Sequence, residues 1–242
     1  MKSMKAIATV SMLAAGFVSL GNVTTSAGAV ILANYGFGTA ALPSYASTDV
    51  DTNSVATNFA PAAGLGSTGN WNSTENGIDT VDVTEGNPPL QFAQKPLTTT
   101  TESGAQQNNA YWSFTLTPAS GYAVNLTSFS FDLVIHNSGL PISYYLATSV
   151  GGFTNPVGAV VTNQGSSSHP TFDLSAAAFQ NLTTPLELRL YQWSSAGHGS
   201  SGSRWTFDNV MLNGTTSPVP EPASLMLLSA ALGLGLRPRR GK

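Results

Sequence analysis

Apolar and polar residues alternate in several separate stretches of the second half of this chain. In Tyr111–Thr117, Trp112, Phe114 and Leu116 share one face. In Ser128–His136, Phe129, Phe131, Leu133 and Ile135 fall on one side, and Ser128, Ser130, Asp132 and His136 on the other. Ile142–Thr148 lines up Ile142, Tyr144 and Leu146. Leu186–Trp193 sets Leu186, Leu188 and Leu190 against Glu187, Arg189, Tyr191 and Trp193. A repeat of two is the period of a half-buried strand. A further strand is predicted over Arg204–Leu212. Turn residues separate these runs, at Pro118-Ala119-Ser120-Gly121, Asn137-Ser138-Gly139, Gly151-Gly152 and Ser194–Ser203. Strands at this spacing predict an all-β chain, an antiparallel β-sandwich of jelly-roll-like form. One short helical turn is expected around Leu174–Gln180, capped by Asp173 or Ser175. Gly64–Asn70 reads as loop.

Two stretches break the alternation, and both lie at the ends. Lys2 and Lys5 precede an apolar run from Ala6 to Leu20, and a polar stretch leads to Ala27-Gly28-Ala29. A basic start, an apolar centre and small residues at a cleavage point make a secretory signal peptide. Residues 1–29 are therefore expected to be a signal helix outside the fold, with the mature chain starting near Val30. At the other end Pro218-Val219-Pro220-Glu221-Pro222 leads into an apolar run from Leu225 to Leu236 and then Arg237-Pro238-Arg239-Arg240-Gly241-Lys242. The prolines fix φ and keep Glu221 on extended backbone. As a helix, the run from Ala223 to Leu236 spans roughly 20 Å at about 1.5 Å per residue. A bilayer core is about 30 Å thick. Such a segment suits a transient stay in a membrane, with the basic end in the cytoplasm.

At Val219-Pro220-Glu221-Pro222-Ala223-Ser224-Leu225, with the apolar segment and the arginines behind it, the chain resembles the PEP-CTERM family of bacterial surface proteins. The resemblance implies recognition and cleavage by an exosortase-like membrane enzyme. It makes Pro220, Glu221, Pro222, Arg237, Arg239 and Arg240 the sorting and processing residues. It also implies an exopolysaccharide setting and an exported, envelope or extracellular location. The apolar segment is shorter than the family's, and Pro238 interrupts its basic cluster. The division expected is a signal peptide over 1–29, a β-sandwich over 30–214, a linker over 215–219 and a sorting tail over 220–242.

Charge narrows the partners. Between the two basic ends stand only Lys95, Arg189 and Arg204, against eleven acids, a net charge of about −8. A body of that sign repels phosphate backbones, so no nucleic-acid partner is expected. The chain has no cysteine. Thiolate chemistry, disulfides and cysteine-held metals are excluded.

The candidate chemistry is thin. The histidines are His136, His169 and His198, and no pair has helical metal-binding spacing. No serine stands in a nucleophile-elbow context. Asp132 and Glu187 are the one carboxylate pair considered for glycoside hydrolysis, on the supposition that they share a sheet face. Asp49-Val50-Asp51-Thr52-Asn53 alternates oxygen ligands as a calcium loop does, but Ser54 and Ala60 stand where such a loop needs Gly and Glu. The face Glu187, Arg189, Tyr191, Trp193 combines rings with planar polar groups, the make-up of a sugar-binding strand, with Tyr145 and Asp132 expected beside it. The plainer alternative is an Arg189–Glu187 pair with Trp193 packed at the sandwich edge.

Through Tyr111–Pro118, Leu126–Asp132, Arg189–Trp193 and Phe207–Gly214, the body resembles the jelly rolls common in PEP-CTERM proteins, which are similar to carbohydrate-binding modules. Such domains often hold a structural calcium between the first and last strands. That resemblance makes Asp208 a calcium ligand, although Gly38 stands where an acidic partner is common. No other cofactor is expected. The reading is a non-enzymatic exported matrix protein, structural or adhesive. The alternatives are a carbohydrate-binding module and a secreted glycoside-active enzyme.

Overall fold

The computed structural model describes residues 28–39, 42–48, 51–65, 77–79, 91–94, 99–135, 141–164, 167–195 and 205–219. The first strand, β1, is Val30–Tyr35, followed by the short β2 (Gly38–Thr39) and β3 (Leu42–Pro43). Next come β4 (Ser54–Ala56), β5 (Ala60–Pro61), β6 (Gly77–Asp79) and β7 (Gln91–Gln94). The α-helix α1 (Glu102–Gln107) precedes β8 (Tyr111–Pro118), β9 (Tyr122–Ile135) and β10 (Pro141–Thr148). The last described elements are β11 (Val157–Gln164), β12 (Thr171–Asp173), β13 (Leu186–Trp193) and β14 (Trp205–Pro218).

Two large sheets and a separate two-stranded ribbon of β2 and β3 form, and among the described residues all strand pairings are antiparallel. The first runs β12-β9-β14-β7-β6, with β1 also on β14. The second runs β11-β10-β13-β8-β4, with β5 also on β8. The alternation seen in the sequence decides what lies between them. Leu186, Leu188 and Leu190 stand opposite Leu116, Phe114 and Trp112, and all six are buried. Rings from the two sheets meet face to edge or stacked, Phe114 on Phe129 at 6.0 Å and Phe131 on Tyr144 at 5.7 Å. Tyr35 on β1 reaches Phe114 at 5.2 Å. This is the antiparallel β-sandwich that the two-residue period predicts.

Several details depart from expectation. The strand β10 is buried on both faces, not one. One end of the outer face of its sheet is covered by α1, which packs on β13 and was not foreseen. Thr101 caps α1 by accepting the Gly104 N–H at 3.0 Å. The turn expected at Leu174–Gln180 is a single 3-10 turn at Ala177–Phe179. Asp173 instead closes a local turn, accepting from the Ser175 N–H at 2.8 Å. The supposed linker 215–219 is a correction: Thr215, Thr216, Ser217 and Pro218 pair with Asn125, Val124, Ala123 and Tyr122 of β9. The Val219 N–H then donates to Gly121 at 2.7 Å. The pairing continues because the β9 strand begins at Tyr122 and offers that stretch an unfilled edge. Gly214 sits where this register shifts, and a Cβ there would lie 2.4 Å from the Asn125 carbonyl oxygen and 2.6 Å from Leu32.

Among the described residues no helix is long and apolar enough to cross a membrane. Of the signal peptide expected over 1–29, residues 1–27 lie outside the described residues, as do the sorting residues Pro220, Glu221, Pro222, Arg237, Arg239 and Arg240.

Candidate functional site

The outer face of the second sheet collects the chain's mixed polar and aromatic side chains. Strand pairing places Arg189 opposite Ser113 and Ala147, and Tyr191 opposite Tyr111 and Tyr145. Trp193 stands opposite Ser143. The rings form a ladder: Tyr111 to Tyr191 at 5.0 Å, Tyr191 to Tyr145 at 5.0 Å and nearly parallel, Tyr145 to Trp193 at 5.9 Å. The far end of the ladder is sealed. Gln106 of α1 donates to the Tyr145 hydroxyl at 2.7 Å. Burial raises the Tyr145 phenol to about 12, against the pull of that hydrogen bond.

This corrects the expectation of an open sugar-binding strand. Tyr191 is 3% exposed and Trp193 7%. The physical reason is α1, which lays Ala105 and Gln106 over this end of the face. Rings that bind sugars must offer a face to solvent, and these two do not. What stays partly open is the near end: Glu187, Arg189, Tyr111 and Phe153.

Arg189 organises that end. Its guanidinium carbon lies 3.6 Å from the Phe153 ring centre and 4.5 Å from that of Tyr111. Its Nε donates to Glu187 at 2.7 Å, and Nη1 reaches the Tyr191 hydroxyl at 3.5 Å. Burial works against its charge, but the hydrogen bonds to Glu187 and Tyr191 outweigh it and raise its pKa further above the usual range. The arrangement is a cation held between two rings and a carboxylate. It is first a packing device for the strand face, which is the plainer of the two alternatives drawn from the sequence.

Asp208 lies on the other sheet, directly opposite Asp132. Here β14 changes partner, from β7 at Phe207 to β1 at Val210, and Asn209 takes a left-handed φ of 47°. The Asn209 backbone N–H donates to Asp208 at 2.7 Å, and its side chain donates to Asp132 at 2.8 Å. His169, well exposed, donates to the other Asp132 oxygen at 2.5 Å. Burial is the main cause that raises the Asp208 carboxyl; the Asn209 N–H opposes it, and Asp132 adds to the rise, which reaches about 6. Among the described residues no three His, Cys, Asp or Glu side chains gather as a metal-binding group.

Asp132 and Glu187 stand on different sheets, so they share no cleft across which two carboxylates work on one bond. In the calcium-like stretch, Asp51 is engaged by hydroxyls, from Ser54 at 2.6 Å and Thr216 at 3.1 Å. Asn53 donates to the same Thr216 oxygen at 3.1 Å. Sequence reading missed Tyr111, Phe153 and Gln106 as members of the outer-face cluster. Tyr111 was detectable from its parity, one residue off the Trp112–Leu116 face. Phe153 and Gln106 reach the face from a loop and a helix, which strand period does not register.

The chain is thus an antiparallel β-sandwich with an aromatic outer face sealed at one end and half open at the other. Neither a family model nor a curated protein sequence matches it. Two solved structures are similar in outline. One is a carbohydrate-binding module, CBM61, in complex with beta-1,4-galactotriose, 11% identical, with 67% of this chain and 83% of that chain covered and a TM-score of 0.29. The other is a non-crystalline cellulose specific carbohydrate-binding module, CBM28, 9% identical, with 59% and 85% covered and a TM-score of 0.34. Superpositions this loose carry no inference about a ligand.

Proposed function

We propose that this chain is an exported β-sandwich domain, delivered to the cell envelope through its C-terminal tail and serving there as a structural or adhesive element without catalysis. One observation carries the reading. The described strands fall within the interval between the two expected processing points. Among the described residues the first strand opens at Val30, and the Val219 N–H bonds the Gly121 carbonyl just beyond β14. Val30 pairs with Gly214, so both ends of the folded body are fixed in one sheet. Pro220, Glu221 and Pro222 then serve as the recognition motif, with Arg237, Arg239 and Arg240 holding the cytoplasmic side during a transient membrane stage. The processing partner is an exosortase-like membrane enzyme.

The test is Glu221→Ala in the exporting cell. The expected result is normal export with a longer, tailed form retained in the membrane fraction. Unchanged processing by mass spectrometry rules out recognition through this motif.

A second reading, contact with extracellular polysaccharide, keeps one specific observation in its favour. Arg189 is held rigid between Phe153 and Tyr111 with Glu187 beside it, on the part of the sheet face that is half open. Rings and planar polar groups in a fixed relation suit sugar hydroxyls, and neither Tyr191 nor Trp193 is needed. Binding to a polysaccharide panel that is lost in Glu187→Gln, with stability unchanged, supports this contact; silence across neutral and acidic polysaccharides removes it.

A further inference from the structure

Exposed sheet edges invite strand addition, and most edges of this protein are blunted. The β12 strand has three residues, follows Pro170 and ends at Asp173. The β6 strand has three residues and ends at Asp79. The edge beside β8 is split between the three residues of β4 and the two of β5, which include Pro61. The β1 edge is covered: Asn34 takes the Ser47 hydroxyl on its N–H and the Thr48 N–H on its carbonyl. Short length, proline, charge and cover are the usual protections of an edge.

The β11 strand has none of these. It is eight residues long, Val157–Gln164, and contains no proline or charged residue. It pairs with β10 on one side, and among the described residues no strand lies on the other. Gly158, Ala159, Val160 and Thr162 are exposed, Val160 to 38%. A bulge with Gly158 at φ 74° bends its first half. From Val161 to Gln164 the register with β10 is regular. Charge favours this edge as well. No Asp, Glu, Lys or Arg occurs from Leu133 to Phe172, in a body whose net charge is otherwise strongly negative. Two copies of an acidic chain meet here without like charges in contact.

We infer that β11 is a self-association edge, where a second copy of this chain adds its own β11 antiparallel and extends the second sheet across a two-fold axis. A two-fold perpendicular to the sheet keeps outer faces together, so residues of the same parity stand opposite. Centred on Thr162, it sets Thr162 against Thr162 of the second copy, and Val161 against Asn163 of the second copy. Threonine pairs of this kind are favourable across antiparallel strands, whereas like charges directly opposite are not. The contact is small for a stable dimer, so its dissociation constant is expected on the order of 100 µM. This inference does not depend on how the tail is processed.

Sedimentation velocity of the mature chain from about 10 µM to about 1 mM provides the test. The wild-type protein is expected to shift from monomer towards dimer across that range. Thr162→Lys is expected to stay monomeric throughout, and Thr162→Val to associate as the wild type does. Should Thr162→Lys fail to fold through loss of its 2.8 Å contact with Ser143, Val160→Lys, at an exposed position on the same edge, takes its place with the same expectation. A wild-type chain that stays monomeric to the highest concentration overturns the inference. So does a folded lysine variant that associates as strongly as the wild type.

Discussion

Thr216 donates its hydroxyl to the Asp51 carboxylate at 3.1 Å, across 165 positions of sequence. The same hydroxyl oxygen accepts from Asn53 at 3.1 Å. The contact ties the end of the last strand to the loop that leads into β4. It explains why residues 215–218 belong to the sheet and not to a linker. It also gives Asp51 a structural role: its carboxylate accepts the Ser54 and Thr216 hydroxyls and holds the last strand in place.

Thr216→Val keeps the shape of the side chain and deletes both bonds. Half-buried hydrogen bonds of this kind contribute about 1 kcal/mol each, so a loss of about 1–2 kcal/mol is expected. Urea unfolding of the mature chain measures it. A midpoint identical to wild type means that the contact contributes nothing to holding the last strand.

The aromatic face makes a second, opposite pair of forecasts. Trp193 is buried beneath α1, so Trp193→Ala is expected to destabilise by about 3–5 kcal/mol. Any binding lost in that variant follows from unfolding. Arg189→Lys removes the planar group between Phe153 and Tyr111 and is expected to cost about 1–2 kcal/mol, because an ammonium does not stack as a guanidinium does. Chemical denaturation of both variants checks the order; an Arg189→Lys protein as stable as wild type contradicts the stacking account.

Asp208 makes stability depend on pH in an unusual direction for a carboxylate. Its folded pKa of about 6 lies above the ordinary value of 3.8. The folded state therefore holds the proton more tightly than the unfolded chain. The contribution is fully present below the ordinary value and is lost as pH rises through about 6. The side chain is only partly buried, so solvent screening reduces the effect to about 1 kcal/mol. Asp208→Asn keeps an acceptor for the Asn209 N–H and is expected to gain about that much at pH 7 and to flatten the profile between pH 4 and 7. Chelator is expected to leave the melting temperature unchanged. A destabilised Asp208→Asn protein, together with a chelator-sensitive melting temperature, assigns Asp208 to a bound cation instead.

The sandwich itself was legible because buried strands leave a period-two trace. Trp112, Phe114, Leu116, Phe129, Phe131, Leu133, Leu186, Leu188 and Leu190 all point where their parity places them. The same parity misled at Tyr191 and Trp193. Alternation separates two faces of a strand but is blind to a six-residue helix arriving from elsewhere to cover one of them. Helix α1 left little trace beyond Thr101 and Glu102 at its start, and its Ser103 and Gly104 are weak helix formers. Residues 215–218 were misread for a related reason. Thr, Ser and Pro beside a proline-rich tail look like a linker, and only the long reach of β9 gives them a partner.

The central claim is that the folded body lies between two processing points, and the most direct measurement is terminal mapping of the exported protein by intact-mass and peptide mass spectrometry. The account predicts a chain that begins near Val30 and has lost the residues beyond the Pro220–Pro222 motif. A soluble cytosolic polypeptide that retains both the Lys2–Leu20 segment and the arginine-rich end contradicts it.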